Sequence, residues 1–215
     1  MMTVIITIIA RSYRAETEGN KMEKQSSKAQ TRQRILDEAA RVMRETGTEG
    51  IGVAALMKRV GLTHGGFYAH FASREELVEE VLKHMFAEAD TFKPAQSVSQ
   101  PAQQLADFID SYLSEAHRNS PAQGCPLAAL VSEVAHLPQP ARQIFAQGFS
   151  TMHARLTQLL RELGWTEADT LASSMMAEMI GAMALARACP DAEQASLLLQ
   201  RSRAALKHRT LEVAT

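Results

Sequence analysis

Apolar residues recur three and four positions apart along most of this chain, and that period leaves room for little besides helices. After "LPQP", the residues Phe145, Phe149, Met152, Leu156, Leu159 and Leu163 are spaced four, three, four, three and four. Such a stripe covers one face of an α-helix. Ile35, Leu36, Ala39, Ala40 and Met43 form an earlier stripe, stopped by Gly47. Leu77, Val78, Val81, Leu82 and Met85 form another, opened by the capping box Ser73-Arg-Glu-Glu76. Leu105, Phe108, Ile109, Tyr112, Leu113 and Ala116 fit one further face. Leu171, Ala172, Met175, Met176, Met179, Ile180 and Met183 fit the next, with Thr166 and Asp169 expected to cap it. A short helix from Pro126 to about Ala135 and a last one from about Asp191 to Arg209 complete the reading. The expected fold is all-α, with about nine helices.

The breaks between stripes divide the chain. "KPAQSVSQPAQ", Lys93 to Gln103, is polar and twice broken by proline, and reads as a hinge. Residues 24–72 are expected to form a three-helix head, 73–92 a connecting helix and 93–215 a larger helical domain. Residues 1–23 read as a disordered or mis-assigned extension, with Met22 as the start. Their apolar run, Val4 to Ala10, falls far short of the roughly 20 residues of a membrane helix. Two cysteines are too few for a disulfide framework, so a cytoplasmic setting is expected.

Charge follows the same division. Lys24 to Arg74 carries nine Lys/Arg against four Asp/Glu, and Glu75 onward carries eleven against seventeen. A basic module joined to an acidic one suggests that only the first meets a polyanion.

"VGLTHGGFYAHFASREEL" lies in the basic module. Taken with "VAALMKRV" before it, it reads as two short helices around a turn at Gly61, with Thr63 capping the second. In a helix-turn-helix the second helix enters the DNA major groove. Helical spacing sends Leu62, Phe67 and Phe71 toward Met57 and Val60, and leaves Thr63, His64, Gly66, Tyr68 and His70 on the other face. Gly65 and Gly66 are expected to let this helix lie close to its neighbour and to DNA. Lys58 and Arg59, with Arg32 or Arg34, are candidate cations for phosphate contacts.

The same residues resemble the signature of TetR-type transcriptional regulators: Thr63, Gly65, Gly66, Phe67, Tyr68, His70 and Phe71 match it, and the likeness is strong from about Thr31 to Met85. The resemblance implies a homodimer, paired through its last two long helices, that binds double-stranded palindromic operator DNA and answers to a small-molecule effector. It implies base approach at Thr63, His64 and Gly66, phosphate or base contacts at Tyr68 and His70, and backbone contacts at Thr31 and Arg74. Two departures stand out. Ile51-Gly52 replaces a frequent Thr-Thr, and Gly66 replaces a frequent Thr or Ser.

Two features are candidate sensors. One is the apolar set Phe145, Phe149, Met152, Trp165, Met175, Met176 and Met179, since methionine adapts to irregular ligands. The other is Cys125, placed by Pro126 at a helix N-terminus, where the helix dipole and His117 or Arg118 would lower the thiol pKa. Dry core is the competing reading of the first, and a small apolar filler that of the second. No metal or cofactor is expected. An enzyme is a weaker alternative: Ser132, Glu133 and His136 share a short helix, but no nucleophile elbow, phosphate loop or zinc motif accompanies them. A helical interaction protein without DNA binding is the other alternative.

Overall fold

The computed structural model describes residues 26–50, 52–89 and 100–212. The 1–23 extension and most of the proline-broken hinge lie outside these residues. Among the described residues there are nine α-helices and no strand. The head contains α1 (26–46), α2 (Val53–Arg59) and a 3-10 segment, His64–Ala69. A connecting helix follows, α3 (Arg74–Ala89). Beyond the hinge come α4 (Pro101–Tyr112), α5 (Glu115–Asn119) and α6 (Pro126–Val134). Three long helices end the chain: α7 (Gln139–Glu162), α8 (Ala168–Ala188) and α9 (Ala192–Lys207).

Each start and stop has a local cause. α1 ends at Gly47, whose φ of 82° few other residues adopt. The amide of Glu76 donates to Ser73 Oγ at 3.2 Å, and Glu76 Oε2 reaches back to the amide of Ala72 at 2.6 Å. Two expectations need correction. The stripe from Leu105 to Ala116 is split: α4 stops at Tyr112, and Ser114 caps a separate α5 by accepting from the amide of His117. Thr166 does not cap α8, whose N-cap is Glu167 with no side-chain bond. The strong cap sits one helix later, where Asp191 accepts from the amides of Glu193 and Gln194.

One continuous core runs through head and body. Ile35, Met57, Phe67 and Phe71 fill the head, and Leu82 and Met85 carry the core along α3. α3 packs on α7, α7 on α8, and α8 on α9. Burying each of these large side chains contributes about 1.5–3 kcal/mol. The Met175, Met176, Met179 and Met183 face of α8 is fully buried in this core.

Candidate nucleic-acid interface and effector cavity

The turn between α2 and the 3-10 segment depends on Gly61, at φ 75°. Its amide donates to Lys58 O at 3.1 Å, and the amide of Leu62 to Met57 O at 2.8 Å, closing α2. Thr63 then turns extended, and its Oγ1 accepts from the amide of Gly66 at 3.3 Å. The sequence predicts an α-helix here, whereas the segment is a 3-10 helix of six residues. Two adjacent glycines weaken α-helical preference by about 1 kcal/mol each, and the tighter winding suits so short a piece.

Phe67 and Phe71 stack at 5.5 Å between ring centroids and are buried. Tyr68 stands out instead, 64% exposed, with its ring edge-on to His64 at 6.1 Å and to Phe67 at 5.3 Å. Thr63, His64, Gly65 and Tyr68 are exposed along one short segment, and Lys58 is exposed at the end of α2. The protein's own packing does not require the two glycines, contrary to the expectation of close approach to a neighbouring helix. A Cβ at Gly65 would meet nothing within 4 Å, and one at Gly66 only ordinary contacts with Thr63 and Met57.

The remaining head candidates are tied in place. Thr31 Oγ1 donates to Ser27 O at 2.9 Å. Arg32 pairs with Glu80 at 2.8 Å and lies over the Phe71 ring at 4.8 Å. Arg34 donates to Val60 O, and Arg59 pairs with Glu38. His70 is half-buried, and desolvation, helped by Lys28 and Arg32, holds its pKa below the usual histidine value. Arg74 donates to Thr48 O at 2.7 Å and pairs with Glu49 at 3.0 Å.

A cavity of about 850 Å³ opens between α1 and α3 on one side and α4, α6 and α7 on the other. Phe86, Phe108, Leu127, Ile144 and Met152 form its apolar wall. Arg44, Tyr112 and Cys125 are polar groups on the same wall. Arg44 is a buried arginine that reaches Glu88 at 2.7 Å and Ala122 O at 3.3 Å. Gly148 shapes the cavity: a Cβ there would meet the Phe86 ring at 2.3 Å, so only glycine lets that ring lie against the α7 backbone.

The sequence-derived sensor residues part company here. Cys125 and Met152 line the cavity. Phe145 is buried and meets Phe86 edge-on at 5.6 Å, whereas Phe149 is 42% exposed. Trp165 Nε1 donates to Thr210 O at 3.1 Å, securing the turn after α9. Met175, Met176 and Met179 are buried and are not among the lining residues.

The Cys125 thiol differs from its expected chemistry. It does sit at the N-cap of α6, where the amides of Leu127 and Ala128 favour the thiolate, although its side chain makes no cap hydrogen bond. Burial outweighs them and pushes the thiol above the usual cysteine value. His117 adds no charge: desolvation lowers its pKa, Nδ1 contacts Tyr112 O at 2.7 Å, and Nε2 accepts from the Cys125 amide at 3.0 Å. Arg118 is turned away, donating to Ala186 O and pairing with Glu115.

Besides the bond from Arg44 to Ala122 O, a second contact joins this wall to the head. Glu133, near the end of α6, accepts from the amide of Thr48 at 2.7 Å and from its hydroxyl at 2.9 Å. The same Thr48 receives Arg74 on its carbonyl. Ser132 and His136 are exposed. Sequence reasoning missed Arg44, Thr48 and Gly148, because their partners lie 44, 85 and 62 positions away.

Known proteins match both halves. Residues 35–81 match the bacterial regulatory proteins of the tetR family, and residues 101–198 match the LmrA/YxaF-like C-terminal domain of transcriptional regulators. The HTH-type transcriptional regulator YxaF of Bacillus subtilis is 25% identical over 70% of this chain and 83% of its own length. LmrA of the same organism is 23% identical over 68% of this chain and 82% of its own length. Among solved structures, reduced NemR of E. coli superposes with a TM-score of 0.72 at 21% identity, covering 83% of this chain and 96% of that one. A TetR-family regulator from Cytophaga hutchinsonii gives 0.74 at 19% identity, covering 86% and 96%. A helix-turn-helix head, an all-helical body and matches across both halves therefore place the chain in the TetR family of bacterial transcriptional regulators, with a C-terminal domain of the LmrA/YxaF type.

Proposed function

We propose that this regulator is a homodimeric repressor that leaves a palindromic operator when a small-molecule effector enters the cavity. The observation that carries the reading is the position of the cavity. It is walled by α1 and α3 of the DNA-binding side and by α6, which reaches the head through Glu133 and Thr48. An effector that alters α6 alters the support of the α1–α2 loop and of Arg74, just beyond the recognition segment. Tenfold release requires the effector to favour the DNA-incompetent state by only about 1.4 kcal/mol.

In this reading residues 24–72 form the DNA-binding domain, 73–92 the connector and 93–215 the effector and dimerisation domain of a cytoplasmic protein. Tyr68, with Thr63 and His64, meets base edges or phosphates, and the bare backbone at Gly66 permits close approach to the groove. His70 borders that contact, while Lys58, Thr31 and Arg74 lie toward the sugar-phosphate backbone. Phosphate contacts give affinity and base contacts give sequence preference. The outer faces of α8 and α9 suit the dimer seam. Ala177, Gly181 and Leu185 are a turn apart along α8, Leu185 is 62% exposed, and a Cβ at Gly181 would meet nothing within 4 Å. Cys125 serves as a wall residue, because desolvation of its half-buried side chain disfavours the thiolate.

Genome-wide capture of DNA bound to the chain tests the proposal. The expected result is one palindromic motif ahead of a few genes, and the absence of any enriched motif contradicts it.

A further inference from the structure

At the rim of the cavity, α1 and α3 bring together Asp37, His84 and Glu88. His84 and Glu88 are one helical turn apart, so both side chains leave the same face of α3. His84 Nε2 lies 2.9 Å from Asp37 Oδ1 and 3.3 Å from Glu88 Oε1. The three ligand-type atoms lie within 4.8 Å of one another. The imidazole nitrogen is shut off from solvent, yet neither carboxylate stands in line to take a hydrogen bond from it. An enclosed nitrogen that faces two carboxylate oxygens without bonding either is the arrangement a shared cation satisfies.

We infer that Asp37, His84 and Glu88 form a binding site for a divalent transition-metal ion of the zinc, cobalt or nickel class. One imidazole nitrogen with two carboxylate oxygens suits these ions better than magnesium or calcium, which favour oxygen alone. Glu88 is oriented from behind, Arg44 Nη2 donating to its Oε2 at 2.7 Å, and Gln33 Nε2 donates at 2.8 Å to the same Asp37 Oδ1 that faces His84. Such outer partners fix ligand geometry. The other nearby cations are engaged elsewhere, Arg41 with Glu38 and Glu45 and Lys83 with Glu80. Arg44 places one positive charge beside Glu88, against the two carboxylates of the set. Three protein ligands leave open positions for water. Because α3 begins just after the recognition segment, a bound ion fixes the head's first helix against the connector. No motif search finds this set, since Asp37 is 47 positions from His84.

Tag-free full-length protein, stripped with chelator and titrated with Co²⁺ and then Zn²⁺, tests the site. The expected result is one Co²⁺ per chain with visible ligand-field absorption, displaced by Zn²⁺. Affinity should fall at least tenfold in His84→Gln and in Asp37→Asn, and stay unchanged when both cysteines become serine. If His84→Gln fails to fold by circular dichroism, Asp37→Asn decides, since Asp37 is exposed. No uptake by folded wild-type protein, or equal uptake by the deciding variant, overturns the assignment. The first of these outcomes would leave a histidine merely packed beside two carboxylates.

Discussion

Glu133 Oε2 accepts two hydrogen bonds from Thr48, at 2.7 Å from the amide and 2.9 Å from the hydroxyl, across 85 positions of chain. It is a carboxylate of the C-terminal body acting as the cap of a loop in the DNA-binding head. Charge-assisted bonds of this kind contribute about 1.5–3 kcal/mol each when sheltered from solvent. A double-mutant cycle with Thr48→Val and Glu133→Ala should give a coupling energy of about 0.5–3 kcal/mol by chemical denaturation. Strict additivity of the two single changes would remove this contact as a mechanical link.

Gly148→Ala drives a methyl group into the Phe86 ring, which would lie 2.3 Å from the new carbon. Overpacking of this kind destabilises by about 1–3 kcal/mol. Phe86→Leu in the same chain should recover most of the loss, because the ring is what obstructs. Thermal melts of the single and double variants check this, and a Gly148→Ala chain as stable as wild type would contradict the observed packing.

His117 gives stability a pH dependence of known sign. Desolvation lowers its pKa when folded, so the unfolded chain binds the proton more readily. Its contribution is therefore complete above the unfolded value of about 6.5 and is lost as pH falls through the lower folded value. Protonation also turns Nε2 from the acceptor of the Cys125 amide into a donor facing a donor. His117→Gln should flatten the melting temperature against pH below about 6.5. Some slope should persist, because desolvation and the cations Lys28 and Arg32 shift His70 in the same direction. An unchanged slope in the variant would exclude His117 as its source.

The helices were legible because their signal is local. Spacing of apolar residues, Gly47, Gly61, Ser73 with Glu76, and Pro126 each act within a turn or two of themselves, and each stands where the sequence places it. The 3-10 winding of His64–Ala69 was less legible, since two glycines and a threonine cap serve either helix type. The methionine face of α8 shows why residue type underdetermines a site. Flexible apolar side chains fill a core as readily as they line a cavity, and here the apolar wall comes from α3, α4, α6 and α7 instead. At Cys125 the sequence placed the thiol at a helix N-cap correctly, but it could not show that desolvation there outweighs the helix dipole. Desolvation depends on helices distant in sequence, as do the partners of Arg44, Thr48 and Gly148.

Tyr68 is the large side chain that the recognition segment leaves in solvent while its neighbours Phe67 and Phe71 fill the head. The most direct measurement is a titration of purified dimer and of its Tyr68→Ala variant against a palindrome selected from random duplexes, with scrambled DNA as competitor and salt varied. Wild type should prefer the palindrome by a factor on the order of 10³ or more, weaken steeply as salt rises, and lose over tenfold in affinity on Tyr68→Ala with the dimer intact. Equal binding of palindrome and scramble, or equal affinity of variant and wild type for the palindrome, would contradict the account.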